Sequence, residues 1–226
     1  MTAVDLRAIF ARPTLDVARS LLGARLVREE GRGRWRTRRV GRIVEVEAYL
    51  GPTDRASHAR FGETARSRPM YGQAGRAYVY LVYGMYYCLN VVTEQPGVPH
   101  AVLIRAVQPL EGIDLLRVAR FEAERNSHRS ASREDLERVR SRLQHTSVDR
   151  LAAGPGLVGA AFGLDLELTG SDLLDPDNVV HLDPAPADEP AFEIASSARV
   201  GIAYSGTPWT DQPWRFAIAG HPSVSR

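Results

Sequence analysis

Three residues stand out for the chemistry their types allow, and each falls where the pattern predicts a strand. Glu47 lies near the end of the alternating run RIVEVEAY, residues 42–49, just before a long connection. A carboxylate in that place can act as general base on a water. The plainer reading is an exposed or arginine-paired strand glutamate. Glu45 stands two residues earlier on the same face, with Ile43 and Tyr49, and competes for the role. Arg105 lies inside the apolar run AVLIRAV. If buried, it needs a partner, and a carboxylate or a phosphate would serve. Asn90, in CLNVV, is unusual within a strand. It either satisfies a backbone group or reads a polar edge of a ligand.

The connection after Glu47 runs over residues 50–77 and is longer than a structural link needs, which marks a functional or a disordered segment. It carries His58, then Arg60, Arg66, Arg68 and Arg76 interleaved with Phe61, Met70 and Tyr71. Such a mixture can follow a phosphate backbone while its aromatics stack on bases. A merely solvated loop would have the same composition. Next comes YVYLVYGMYYCLNVV, with five of the chain's eight tyrosines. Strands favour tyrosine, but a buried strand does not need so many hydroxyls.

Other chemistries lack their signatures. HxxxH, HExxH and paired cysteines are absent, so no metal is expected. GxxxxGK[ST] is absent too, so no loop of that kind cradles a nucleotide phosphate, and no cofactor is expected. Without GxSxG, a serine hydrolase is disfavoured. All 29 basic residues are arginine. A GC-rich genome explains that plainly, yet it also leaves no lysine to form a Schiff base. Net charge is only +2, which is not the overall signature of a nucleic-acid protein. No run of about 18 apolar residues predicts a membrane span, and the N-terminus has no signal-peptide core. The single cysteine, Cys88, forms no internal disulfide and fits a reducing cytoplasm.

The elements that must position these groups follow from periodicity. Residues 14–22 read as a helix between Pro13 and Gly23. Residues 24–30 and 42–49 read as strands joined by a polar, arginine-rich turn. Residues 78–83 and 86–92 form a hairpin about Gly84-Met85, and residues 101–109 form another strand. A helix is expected over 111–125. The segment 126–150 reads as a charged insertion with a helix in SREDLERVRSRLQ, solvated or mobile. GPGLVGAAFGL, residues 154–164, turns into a small-residue helix. FEIASSARVGIAYSG and WRFAIAG close the chain as strands. No repeat or composition break divides the 226 residues, so one mixed α/β domain is expected.

EVEAYLGPTDRASHA, then RSRPMYGQAGRAYVYLVYGMYYCLNVV, then AVLIRAVQPLEG follow one another with little need for gaps. In that order they resemble the alkyladenine (3-methyladenine) DNA glycosylase family. GPG at 154–156 and ARVGI at 198–202 are weaker likenesses. The resemblance implies a single α+β domain with a largely antiparallel sheet, flanking helices and a protruding hairpin, similar to the C-terminal domain of methionyl-tRNA formyltransferase. It implies hydrolysis of the bond joining a damaged purine to deoxyribose, after the nucleotide is flipped out of duplex DNA. Glu47 matches the general base. Arg105 and the backbone carbonyl of Val200 match groups that hold the water. Tyr49, His58 and Tyr80 match the residues that sandwich the base, and Asn90 matches the pocket asparagine that disfavours guanine's 2-amino group. Tyr83 matches the side chain that fills the gap left in the stack. Met85, Tyr86, Arg66, Arg68 and Met70 are expected beside it on DNA.

The family implies a monofunctional, cofactor-free enzyme, a monomer, working in the cytoplasm at the nucleoid. Three positions depart from its pattern: Leu157 where lysine is frequent, Gln108 where many members carry glutamate, and Pro69 where others often have glycine. Two other readings compete. An inactive nucleic-acid binder would not need Glu47 and Arg105, and a hydrolase of free nucleosides would not need Tyr83 at a hairpin tip.

Overall fold

The computed structural model describes residues 6–127 and 132–225. Residues 128–131, near the start of the charged segment at 126–150, and residues 1–5 of the N-terminal stretch lie outside the described residues. Two short helices open the fold, α1 (Leu6–Phe10) and α2 (Thr14–Leu21). In α2, Thr14, Val17, Ala18 and Leu21 are buried, the three-and-four spacing of a helix facing a core.

The strands are β1 (Arg25–Glu30), β2 (Thr37–Leu50), β3 (Ala77–Val82), β4 (Tyr86–Thr93), β5 (His100–Glu111), β6 (Val180–Asp183), β7 (Ile194–Ser197) and β8 (Arg215–Ile218). They form one sheet in the order β3-β4-β5-β2-β1-β6, with β8 on β2 and β7 on β8. Every pairing between these strands is antiparallel. Three helices complete the fold: α3 (Ile113–Ser127), α4 (Arg133–His145) and α5 (Pro155–Phe162). The fold is α+β, as expected. Helix α5 lies against β4 and β5, α3 lies on α5, and α4 lies on α3. A Cβ on Gly159 would stand 1.9 Å from the Tyr87 carbonyl oxygen. Only glycine lets α5 approach β4 this closely. No helix among the described residues is long and apolar enough to cross a membrane.

Several boundaries differ from expectation, each for a local reason. Strand β5 continues through Pro109 to Glu111, and Gly112 at φ 72° makes the corner into α3. A Cβ there would press within 2.4 Å of the Arg38 carbonyl oxygen. The closing strand FEIASSARVGIAYSG is cut to Ile194–Ser197. The remainder leaves the sheet to reach the site described below. Strand β6 has only four residues, too few to show a period. The helix expected near 132–144 exists as α4, and its start carries a capping box between Ser132 and Asp135.

Candidate active site

Strand β2 carries both carboxylates. It pairs with β5 along one edge and with β8 over Glu45–Glu47 along the other. Three register shifts interrupt the β2–β5 ladder, and two of them flank Glu45: one between Ile43 and Glu45, the other between Glu45 and Val46. The latter passes over Arg105, because Glu45 pairs with Ala106 and Val46 with Ile104. A bulge of this kind re-aims a side chain. Here it turns the Arg105 guanidinium onto both glutamates. Ile43, expected beside Glu45, joins Val44, Val46 and Ala48 in the apolar core, with a shift separating it from Glu45.

Glu45 and Glu47 are both fully buried, yet their surroundings differ. Glu45 accepts from Arg105 Nε at 2.8 Å and Arg215 Nε at 2.6 Å. It also accepts from Ser225 Oγ at 2.8 Å and Ser225 N–H at 2.7 Å. An ionised carboxylate has about four acceptor positions, and four donors meet Glu45, three on Oε1 and one on Oε2. Burial raises its pKa, but the Arg105 charge, the Ser225 N–H and the two arginine hydrogen bonds outweigh burial and hold it below the ordinary value.

Among the described residues, Glu47 has three polar contacts. Val200 N–H donates to Oε1 at 2.7 Å, Tyr49 donates its hydroxyl to Oε2 at 2.8 Å, and Arg105 Nη1 stands 3.3 Å from Oε1. One of about four acceptor positions stays open for a water. Val200 therefore meets Glu47 through its N–H, a contact the sequence does not announce. Burial first, and then the Glu47 charge, keep the Tyr49 phenol well above its usual pKa, so it remains a donor.

Arg199 and Asp54 place Val200, and reading the sequence misses both. Arg199 clamps Asp54 with Nη1 at 2.5 Å and Nη2 at 2.9 Å, and both side chains are fully buried. Nη1 also reaches the Ala48 carbonyl at 2.9 Å. The guanidinium lies over the rings of Tyr49 and Trp214, at 4.7 and 4.9 Å. Asp54 in turn accepts from the N–H groups of Leu50 and Ala56, which ties down the start of the long connection. That connection is ordered into three short helical turns, Gly51–Thr53, His58–Phe61 and Arg68–Tyr71.

Beside the carboxylates lies an aromatic cleft with Tyr49, His58, Met70, Tyr80, Asn90 and Tyr204 in its wall. The expected sandwich of Tyr49, His58 and Tyr80 is therefore gathered in one place. It is closed, however. His58 sits edge-on to Tyr80 with ring centroids 4.5 Å apart, and its Nδ1 is 2.7 Å from the Tyr78 hydroxyl. The room left, about 40 Å³, suits ordered water and not a purine. Burial, with Arg66 and Arg60 nearby, lowers the His58 pKa to about 4. The imidazole is neutral near pH 7. Asn90 donates to the Tyr78 carbonyl at 3.0 Å, so it satisfies a backbone group while lining the cleft. A larger space, about 570 Å³, lies behind the hairpin against α3 and α5, where neither Glu45 nor Glu47 lines it.

The hairpin loop has three residues, because β3 ends at Val82 and β4 begins at Tyr86. Tyr83, expected to end a strand, belongs to the turn. It takes φ 52° and Gly84 takes φ 69°. A left-handed tyrosine is a strained outlier, and here it holds the ring 85% exposed. Met85 is also exposed, whereas Tyr86 packs against Gly156 at the start of α5. Arg66 lies over Tyr80 at 5.3 Å, on the outer side of the cleft. Arg68 pairs with Glu63 in solvent. Met70, expected on DNA, is buried in a small core cluster with Tyr78, Ala59, Val92 and Ala101, because its turn folds inward under the cleft.

The model of the methylpurine-DNA glycosylase family matches residues 8–222. A protein of Methanocella arvoryzae, provisionally named a 3-methyladenine DNA glycosylase, is 40% identical over 97% of this chain and 94% of its own length. Proteins of the same name from Bacillus cereus and Legionella pneumophila are each 38% identical. They cover 94% and 98% of this chain, and 94% and 97% of their own lengths. With two buried glutamates, an aromatic cleft and an exposed tyrosine on a two-stranded ribbon already in place, these matches make the chain a member of the methylpurine-DNA glycosylase family, a DNA-repair hydrolase that acts on DNA.

Proposed function

We propose that the protein removes alkylated purines, 3-methyladenine among them, from double-stranded DNA and leaves an abasic site. The observation that carries this reading is the open acceptor position on Glu47 beside the aromatic cleft. A water there gives a proton to Glu47 and its oxygen bonds to the sugar C1′. The C1′–N bond breaks and its electron pair leaves with the purine. The sugar passes through an oxocarbenium-like state that the Glu47 anion stabilises. Arg105 fixes Glu47 and, with the Val200 backbone, borders the water. A purine alkylated at N3 or N7 is cationic, so it departs readily and stacks well between aromatic faces. A neutral lesion such as hypoxanthine departs only if it gains a proton. With no lysine in the chain, an imine-forming strand-cutting step has no side-chain amine.

The nucleotide reaches the cleft by flipping, and the exposed Tyr83 ring fills its place in the stack. Unstacking a step costs a few kcal/mol, which favours a wedge on a rigid ribbon. This use of Tyr83 favours duplex DNA over a free nucleoside. His58 must turn from its edge contact with Tyr80 to admit the base between them. We take the working form to be a cytoplasmic monomer at the nucleoid.

The test is single-turnover excision from duplexes that each carry one lesion, a cationic 7-methylguanine or a neutral hypoxanthine. Glu47→Gln should slow release at least about a hundredfold, within the range for losing a general base. A Glu47→Gln enzyme as fast as wild type would move the assignment elsewhere.

A further inference from the structure

We propose that Ser225, carried on a strap formed by residues 223–225, sets Arg105 for catalysis through its hydroxyl. This rests on the reading that Glu47 and Arg105 carry the hydrolysis.

The strap follows β8 and is fastened along its length. His221 Nε2 stands 3.2 Å from Gln108 Oε1, and Nδ1 accepts the Ser223 N–H at 3.1 Å. That pattern needs the neutral ring with its proton on Nε2. Burial first, then the Arg42 charge, lowers the His221 pKa and favours this form. Ser223 Oγ donates to Asp149 at 2.7 Å. Arg150 donates to the Val224 carbonyl at 3.1 Å, and Arg215 Nη2 donates to the Ser225 carbonyl at 3.3 Å. Val224 packs against the main core.

The strap ends on the buried ion pair. Ser225 Oγ donates to Glu45 Oε1 at 2.8 Å and accepts from Arg105 Nη2 at 3.1 Å. Its own N–H holds Glu45 Oε2 at 2.7 Å. Two of the four donors that meet Glu45 thus come from one strap residue. The same hydroxyl is the acceptor for the Arg105 nitrogen that does not point at a carboxylate. Arg105 is held at three corners: Nε on Glu45, Nη2 on Ser225, and Nη1 facing Glu47 at 3.3 Å. Without the hydroxyl, Nη2 is buried without a partner. The guanidinium then gains by rotating toward Glu47, where it would take the acceptor position that the water needs. Ser225 is a positioning residue in this account. It touches neither substrate nor water.

Ser225→Ala removes the bridge and keeps the backbone N–H. Ser225→Thr keeps both. Ser223→Ala loosens the strap at Asp149 without touching Glu45 or Arg105. Three readings are taken on each variant: single-turnover excision of 7-methylguanine, affinity for the lesion duplex, and hydrogen-exchange protection of the Arg105 Nε–H by NMR, assigned with Arg105→Gln. The expected result is excision slowed roughly tenfold in Ser225→Ala, since small misplacements of catalytic groups cost on that scale or more. Affinity is unchanged, Arg105 protection falls, Ser225→Thr restores both, and Ser223→Ala resembles wild type. Equal slowing in Ser223→Ala and Ser225→Ala would reduce the strap to a general prop and overturn the proposal. So would Ser225→Ala with wild-type excision or undiminished Arg105 protection. A wild type that excises nothing would overturn the function reading instead, while the Arg105 signal still reports whether the strap holds it.

Discussion

Replacing Arg199 with methionine tests whether a buried ion pair, rather than the sheet alone, brings Val200 to Glu47. Arg199 and Asp54 have fully buried side chains and a two-pronged contact at 2.5 and 2.9 Å. Arg199→Met leaves the Asp54 charge with only the N–H groups of Leu50 and Ala56. Breaking a buried pair from one side costs about 3–5 kcal/mol. That is a large share of a total near 5–15 kcal/mol. At about 2–4 °C per kcal/mol for a chain of this size, the melting temperature should fall by roughly 6–20 °C. Adding Asp54→Asn removes the stranded charge and keeps an acceptor for one of the two N–H groups, which Asp54 meets with different oxygens. The double variant should regain part of the lost stability and yet excise slowly, because nothing then clamps the backbone beside Val200. Urea unfolding at pH 7 gives the first quantity and single-turnover excision the second. A loss below about 1 kcal/mol in Arg199→Met, the scale of an exposed pair, would refute the reasoning. Full excision activity in the double variant would separate the clamp from catalysis.

Two further outcomes follow from local geometry. Tyr83→Gly relieves a left-handed tyrosine at φ 52°, so stability should hold or rise by up to about 1 kcal/mol while excision falls. Undiminished excision in that variant would end the assignment of Tyr83 as the wedge. His58 has its folded pKa lowered to about 4 from 6.5. The unfolded chain therefore binds the proton first, and His58 contributes stability that is complete above pH 6.5 and lost as pH falls toward about 4. His58→Gln should flatten the stability curve in that window, seen by urea titrations at pH 7 and pH 5. An unchanged slope would show that the ring is not buried neutral.

Period and spacing made most of the sheet legible. β1, β3, β4 and β5 fall on alternating or apolar runs, and the end of each is set by glycine or by turn geometry. The hairpin was legible to one residue, because Tyr83 rather than Gly84 opens its turn. No propensity predicts a left-handed tyrosine. The segment around ARVGIAYSG reads as a strand from its residues, but the Arg199–Asp54 clamp draws it off the sheet. That clamp joins positions 145 residues apart, and local pattern carries no trace of it. Met70 reads as a surface contact because its neighbours are arginines, and only the fold shows it turned under the cleft.

Glu45 and Glu47 show where such reading stops and why. Alternation puts both on one face of one strand, in the same apolar setting and with the same burial. Spacing has nothing with which to tell a base from a brace. What separates them is the count of donors. Glu45 meets Arg105, Arg215 and both polar groups of Ser225, the last from 180 positions away. Glu47 meets Val200 from 153 positions away, its neighbour Tyr49, and one corner of Arg105. A carboxylate already met by two arginines and a serine gains less from a water than one with fewer donors, which can bind the water and take its proton. The bulge at Arg105 makes the division possible, since a regular ladder would not point one guanidinium at two glutamates. The division of labour along β2 is therefore a property of tertiary contacts made by the last third of the chain, and it is at those contacts that the enzyme is most open to test.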